Sequence, residues 1–377
     1  MPAKYDVIVL GCGGVGSATL YHLASRGVRV LGVERFQPGH DRGSSHGHTR
    51  IIRQAYFEHP DYVPLVLRAY PLWEEISDLA GERLMELTGI IEVGPPDGDI
   101  VPAVVQCAKE HNLAVESIDR ADFEDRFPGF RMGEDHQAVF EEAAGVLFVE
   151  RCVAAMAAIA QSRGADLASG ESVVGWDVVN DEVVVTTDKE TYYGKRLVFT
   201  AGAWLNSELS RLQLPLNVVR KHLHWHKAKG YEFAAGSPTF FYDVDGFYFY
   251  GFPAFDDRGI KIGEHSGGTS VTDPLQDDRS LEETDCQRVG EFLKEFMPDV
   301  DLQPSDHAVC FYTKTPDEHF IIDQHPDFPQ VTICGGLSGH GFKFTPTLGE
   351  AMADLSTEGK TSLPVEFLKL GRFASGS

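Results

Sequence analysis

A largely apolar, β-rich run, Tyr5 to Leu10, passes without a break into Gly11-Cys12-Gly13-Gly14-Val15-Gly16. This G-x-G-x-x-G spacing constrains the fold more than any other part of the chain. A helical stretch through Leu20, Leu23 and Arg26 follows, and Gly27 stands where the left-handed residue after a helix belongs. Val28 to Val33 reads as a second strand, and Glu34 closes it, 23 positions after Gly11. Each part has a mechanical purpose. Gly11 permits a tight turn, Gly13 lets backbone approach a pyrophosphate, and Gly16 lets helix and strand pack closely. The helix N-terminus stabilises phosphate charge, and Glu34 can accept hydrogen bonds from ribose hydroxyls. An acid at that position disfavours a 2′-phosphate, which argues against NADP. The motif leaves NAD and FAD open.

A chain of 377 residues has room for two domains, and 42% hydrophobic residues can fill a large core. Asp and Glu number 57 against 33 Lys and Arg, a formal charge of −24. Such a surface repels phosphate backbones and anionic lipid, so neither nucleic acid nor membrane is an expected partner; it is compatible with salt adaptation. No apolar run approaches the ~20 residues of a membrane span. The N-terminus lacks the apolar stretch of a signal peptide and the C-terminus lacks Ser-Lys-Leu, so a cytoplasmic protein is expected. The six cysteines, at 12, 107, 152, 286, 310 and 334, form no close pair, which suggests neither a disulfide framework nor a zinc ribbon.

Beyond the first motif, helical periods occupy 60–82 and 100–112. Residues 146–149 read as a strand leading into an Ala-rich helix that ends near Gly164. Strands are expected at 183–187 and 197–200, and the small residues Ala201-Gly202-Ala203 before Trp204 let the chain pass close to a nucleotide. The aromatic-rich span 216–265 alternates as an antiparallel sheet does. A strand at 331–334 and a glycine-rich loop to Gly341 precede a helix with Thr345 as N-cap and Pro346 at its first turn. This order implies a discontinuous nucleotide domain, 1–80, 142–215 and 305–377, with a substrate domain inserted as 81–141 and 216–304.

Several side-chain groups invite chemistry. His46, His48, Arg50 and Arg53 make a basic cluster in an acidic protein, suited to an anion or an electron-rich ring. His222, His224 and His226 alternate, so on a strand they share one face, as zinc ligands could. With no partner carboxylate at a suitable spacing they read as structural or pocket-lining, and no metal site is expected. Gly336-Leu337-Ser338-Gly339-His340 departs from the G-x-S-x-G nucleophile elbow at its last position. Cys310, followed by Phe311-Tyr312-Thr313-Lys314, offers a thiol beside hydroxyls and a lysine; taken alone it reads as a buried structural cysteine. Lys261, between Ile260 and Ile262, faces either solvent or a pocket.

Longer segments carry a resemblance. Tyr5 to Gly11, Gly43 to Arg53, Tyr62-Val63-Pro64-Leu65, Tyr250-Gly251-Phe252-Pro253, Lys261-Ile262-Gly263, Cys310 to Asp323 and Leu337 to Phe344 together resemble the monomeric sarcosine oxidase and N-methyl-tryptophan oxidase family of D-amino-acid-oxidase-like flavoenzymes. The resemblance spans nearly the whole chain. It implies an α/β fold, a Rossmann-like FAD-binding domain with an inserted α+β substrate domain on an antiparallel sheet, and a monomer. It implies FAD rather than NAD, joined covalently to Cys310 through an 8α-thioether. Cofactor contacts are expected from Gly11, Gly13, Val15, Gly16, Glu34, Arg35, Ser44, His46, Thr49, Arg50, Val173, Gly202, Trp204, Gly339, His340, Gly341, Phe342 and Lys343.

By the same resemblance, His46 and Arg50 lie against the flavin and Lys261 serves reaction with oxygen on its other face. Tyr250, His265 and Tyr312 line the substrate pocket, and Arg53 with Lys343 holds a substrate carboxylate. Two cations suit a carboxylate far better than a neutral ligand. Phe241 and the strand carrying His222 to His226 are further candidates for the pocket wall. The family commonly has a second histidine where this chain has Ser45 and an acid where it has His48, which bears on the charge near Arg50. The implied activity is oxidation of a secondary amine in an N-methyl or cyclic amino acid to an imine, with oxygen reduced to hydrogen peroxide. A flavin amine dehydrogenase with another acceptor and a non-catalytic flavin-binding protein are the competing readings.

Overall fold

The computed structural model describes residues 4–230 and 233–373. Residues 1–3 and 374–377, on which the targeting expectation partly rests, lie outside the described residues, as do 231 and 232 in the aromatic-rich span. Strand Lys4–Leu10 is buried from Val7 onward and pairs in parallel with Val30–Glu34 on one side and Thr191–Phe199 on the other. A parallel strand buried on both faces needs continuous apolar sequence, and Val7 to Leu10 supply it. Asp166–Ser169 extends the sheet beyond Val30–Glu34. Val331–Gly335 adds in parallel beside the end of Thr191–Phe199, and an antiparallel flap of Val173–Val179 and Glu182–Thr187 lies beside its start. Helix Gly14–Ser25 covers this sheet and packs on helices Val149–Ser162 and Thr345–Glu358. Gly16 is required at the crossing: a Cβ there would lie 1.8 Å from the carbonyl oxygen of Gly11.

A second sheet runs through Asn217–His226, Ile260–Glu264, Phe247–Phe252, Thr239–Val244, Ile90–Gly94, Gln137–Glu141 and Glu116–Ile118. It is antiparallel as expected except at one joint, where Thr239–Val244 and Ile90–Gly94 pair in parallel. A small third sheet joins Thr49–Ile52 to Gly145–Phe148 and Met85–Glu86. Helices Val63–Ala80 and Val101–His111 fall where periodicity placed them.

Two local expectations are corrected. Strand Asp306–Lys314, grouped by sequence order with the nucleotide part, pairs along its whole length with Asn217–His226 in the second sheet. Its alternation is satisfied there, with Cys310 and Tyr312 on one face and Val309 and Phe311 on the other. Thr345 is not an N-cap: the 3₁₀ turn Phe342–Phe344 runs straight into the helix, Phe344 takes the cap position, and Thr345 Oγ1 makes no hydrogen bond. Among the described residues, no helix is long and apolar enough to cross a membrane.

Candidate active site

A cleft opens at the carboxyl ends of the parallel strands, where ligands of open α/β sheets bind. Gly11, Gly13, Val15, Glu34 and Arg35 line it, together with Ser44, Arg50, Val173, Gly202, Trp204, Gly339, Gly341 and Phe342. Glu34 is held rigidly. One carboxylate oxygen accepts from the Cys12 N–H at 2.7 Å and the other from the Phe36 N–H at 3.0 Å. Each oxygen keeps a lone pair for a further donor. At Gly13 a Cβ would meet nothing closer than Ser45 Oγ at 3.8 Å, so backbone there is open to a bulky anion. Three buried polar atoms on the walls, Trp204 Nε1, Thr313 Oγ1 and Thr345 Oγ1, have no hydrogen-bond partner among the described residues. Buried polar groups are normally paired, so this cleft fits a long ligand that carries its own donors and acceptors. A flavin dinucleotide is such a ligand.

Arg50, Tyr312, Gly339 and Phe342 also line a second, smaller cavity, which therefore adjoins the first. Its walls include Phe241, Tyr250, His265, Arg53, Lys343 and His340. Two cations at one end of a largely aromatic chamber define its polarity. Arg53 is buried, and its Nη2 pairs with Glu58 Oε2 at 2.6 Å while its Nε lies 3.8 Å from Glu92 Oε1. Lys343 Nζ donates to His340 O at 2.8 Å, and burial, aided by Arg53, pushes its ammonium down to about 7. Burial opposes ionisation of Glu58, but Arg53, His340 and Lys343 outweigh it and hold the carboxyl down at about 2. Tyr250 and Tyr312 face each other with hydroxyls 3.5 Å apart. Burial pushes His265 down to about 3, so its ring is neutral.

Five expected residues stand outside these two cavities. His46 is buried, with an unpartnered Nε2, and lines a third hollow on the other side of its loop. Burial and then Arg50 push it down to about 4. Thr49 is buried. Lys261 is buried beneath the same loop, donating to Gly47 O at 2.8 Å and Thr49 O at 2.6 Å. Cys310 is buried on the Tyr312 face, one step along the strand from where the cavities meet, with Lys221 opposite in register. Gly16 serves packing, as described above.

The histidine strand is corrected. His222, His224 and His226 turn away from the substrate cavity, toward the segment beginning at helix Glu283–Phe296: His222 Nε2 lies 3.4 Å from Asp285 and His224 Nδ1 3.9 Å from Cys286 Sγ. Leu223 and Trp225 take the inner face. Among the described residues, no group of three or more His, Cys, Asp or Glu side chains is arranged to hold a metal.

The departures at 45 and 48 also have local answers. Ser45 Oγ accepts from the N–H of Gly14 at 3.2 Å, at the start of the first helix. His48 pairs with Asp256 at 3.4 Å, while Glu150 accepts from the N–H groups of Gly47 and His48 and so supplies a carboxylate to the Arg50 loop. Sequence reading missed Glu58, Glu92 and Glu150. Glu92, an acid inside Ile90-Ile91-Glu92-Val93, was the one with a visible signal.

A family model described as "FAD dependent oxidoreductase" matches residues 6–355. The chain belongs to the FAD-dependent oxidoreductase family. Among the similar members of this family, monomeric sarcosine oxidase of Bacillus sp. (strain NS-129) is 38% identical over 99% of this chain and 98% of its own. N-methyl-L-tryptophan oxidase of Yersinia pestis (strain Pestoides F) is 36% identical over 98% of this chain and 99% of its own. Among solved structures, NikD, an amino acid oxidase of nikkomycin biosynthesis, superposes with a TM-score of 0.86 at 26% identity, covering 97% of each chain. The α/β architecture and the enzyme class expected from sequence both hold.

Proposed function

We propose that this enzyme oxidises the secondary amine of N-methyl or cyclic amino acids to an imine and passes the electrons to oxygen. The observation that carries the reading is the junction of the two cavities, with Arg53 and Lys343 lining the smaller one and not the larger. A carboxylate paired with those cations places the substrate amine toward Tyr250, Tyr312 and the mouth of the nucleotide cleft. Positioning of this kind removes much of the entropy cost of reaction.

Bound FAD supplies the two-electron acceptor for the amine and reduces oxygen to hydrogen peroxide. The chain supplies orientation and charge. Arg53 and Lys343 hold the carboxylate. Phe241, Tyr250 and Phe252 wall the chamber against water. A neutral His265 adds no positive charge beside an amine that must be unprotonated to give up a hydride. Arg50, donating to Ser44 O at 2.7 Å, brings fixed positive charge to the cavity junction. Cys310 is proposed as the point of covalent attachment, and Lys261 as the group serving reaction with oxygen through the loop it supports. The relatives' printed activities support this reading.

The test is peroxide release with sarcosine, N-methyl-tryptophan, pipecolate and proline, each beside the matching amine that lacks a carboxylate. Peroxide from the amino acids and little from the bare amines is expected. Turnover that needs an artificial acceptor and yields no peroxide would make the enzyme a dehydrogenase.

A further inference from the structure

Strand Ile90–Gly94 is buried along its whole length, and Ile90, Ile91 and Val93 sit in hydrophobic clusters. Between them Glu92 has no exposed surface. It is in register with Phe241 on one neighbouring strand and Val139 on the other, so it shares the face that Phe241 turns to the substrate cavity. Both its carboxylate oxygens are buried and accept no hydrogen bond from any described residue. A structural acid at this depth is normally bonded, and a valine would serve the packing better. The charge within its reach is Arg53, 3.8 Å away. Arg53 therefore stands between two acids, Glu58 on the cavity wall and Glu92 behind it in the sheet.

We propose that Glu92 is a positioning residue for Arg53 that holds a proton when a substrate carboxylate is bound, so that anion binding is linked to protonation of Glu92. This rests on the reading of Arg53 and Lys343 as the carboxylate site. The charges explain the linkage. With Glu58 and Glu92 both ionised, Arg53 and Lys343 are matched by two acids, and only Arg50 at the cavity junction is left over for an anion. With Glu92 protonated, the Arg53–Lys343 pair keeps a positive charge of its own, matching one carboxylate.

The surrounding groups agree with this account. Burial raises the Glu92 carboxyl to about 8, with Arg53 opposing and Glu141 and Glu58 adding to the rise. Glu141, on the adjoining strand, has its oxygens taken by the N–H groups of Gln54 and Ala55. Lys343, on the turn before the last long helix, titrates at about 7 and contributes its own loss of affinity as pH rises. Glu58 stays ionised throughout.

The test measures the Kd of acetate for the flavin-loaded protein, from flavin absorbance and by calorimetry, in the natural protein and in Glu92→Gln. Acetate has a carboxylate and no amine, so amine titration does not enter. A group that titrates near 8 when free and keeps its proton in the complex raises Kd about tenfold between about pH 7 and about pH 9. The natural protein should show that rise over and above the Lys343 contribution, and Glu92→Gln should lack it. Calorimetry in buffers of different ionisation enthalpy should find less proton uptake in the variant. Glu92→Val is the second variant should the glutamine fold poorly, with the same loss expected. Parallel Kd–pH curves and equal proton uptake overturn the proposal and leave the carboxylate reading standing. Acetate that binds the natural protein no better than Arg53→Met overturns the carboxylate reading and the proposal with it.

Discussion

Lys261 Nζ donates to the carbonyl oxygen of Thr49 at 2.6 Å and so ties strand Ile260–Glu264 to the loop that carries His46 and Arg50. The same nitrogen sits 4.3 Å from the centre of the Phe252 ring. Carbonyl dipoles and an aromatic face both favour the ammonium, while burial and then Arg50 push its pKa well below the ordinary lysine range.

Replacing Lys261 should separate the two half-reactions. Charge stabilisation matters where negative charge develops, which is in the oxygen step. Lys261→Met should slow flavin reoxidation on the order of 10² or more and slow anaerobic reduction by substrate much less. Since the cation is the active form and its pKa is lowered, the natural rate of reoxidation should fall with rising pH before the usual lysine range is reached. Stopped-flow traces of each half-reaction check both statements. Equal slowing of the two would make Lys261 a residue that shapes the loop.

Cys310 should keep the flavin on the chain through acid precipitation and denaturing electrophoresis. Cys310→Ala should release its flavin into the acid supernatant while keeping the fold, because alanine fills most of the same buried site. In-gel flavin fluorescence reads the result; colour freed entirely from the natural protein would falsify the attachment.

Arg53→Met should cost about 2–5 kcal/mol in kcat/KM for an amino acid substrate, because it removes one partner of a buried ion pair. The loss should be much smaller for amines without a carboxylate. Steady-state kinetics on matched substrate pairs gives the comparison, and equal losses would show that Arg53 does not hold the carboxylate.

Acid should destabilise the protein early. His224 and His265 titrate at about 3 and His46 and His340 at about 4, each because burial disfavours the charged ring. The unfolded chain takes up these protons near 6.5, so stability is full above that pH and falls as pH drops toward 4. The slope is on the order of 1.4 kcal/mol per pH unit for each such histidine. Glu58, held at about 2, adds a loss of its own below the ordinary glutamate range. Urea midpoints measured across this range should show the decline, and His224→Asn should make it shallower.

The nucleotide half was legible because its requirements are local. Gly11, Gly13, Gly16 and Glu34 lie within one strand–helix–strand unit, where short-range geometry sets the tight approach of Gly16 to the Gly11 carbonyl and the bond from the Cys12 N–H to Glu34. Arg53 and Lys343 were singled out by the resemblance of whole segments to a known family, since nothing in the local sequence of either residue announces that they share a chamber.

Other features depended on registers between strands far apart in the chain. Asp306–Lys314 joined the second sheet because its alternating faces match Asn217–His226, a pairing that nothing within either segment announces. The three histidines share one face in any strand, but that this face packs under helix Glu283–Phe296 was decided by Leu223 and Trp225 taking the other side. Lys261 read as facing solvent or a pocket, and packing gave it two backbone carbonyls instead. Glu92 shows the division most clearly. The sequence by itself put an acid inside the apolar run Ile90-Ile91-Glu92-Val93; only the tertiary structure made that run a buried strand and set the acid behind Arg53, because contact between residues so distant in the chain is fixed by sheet order and packing rather than by local preference.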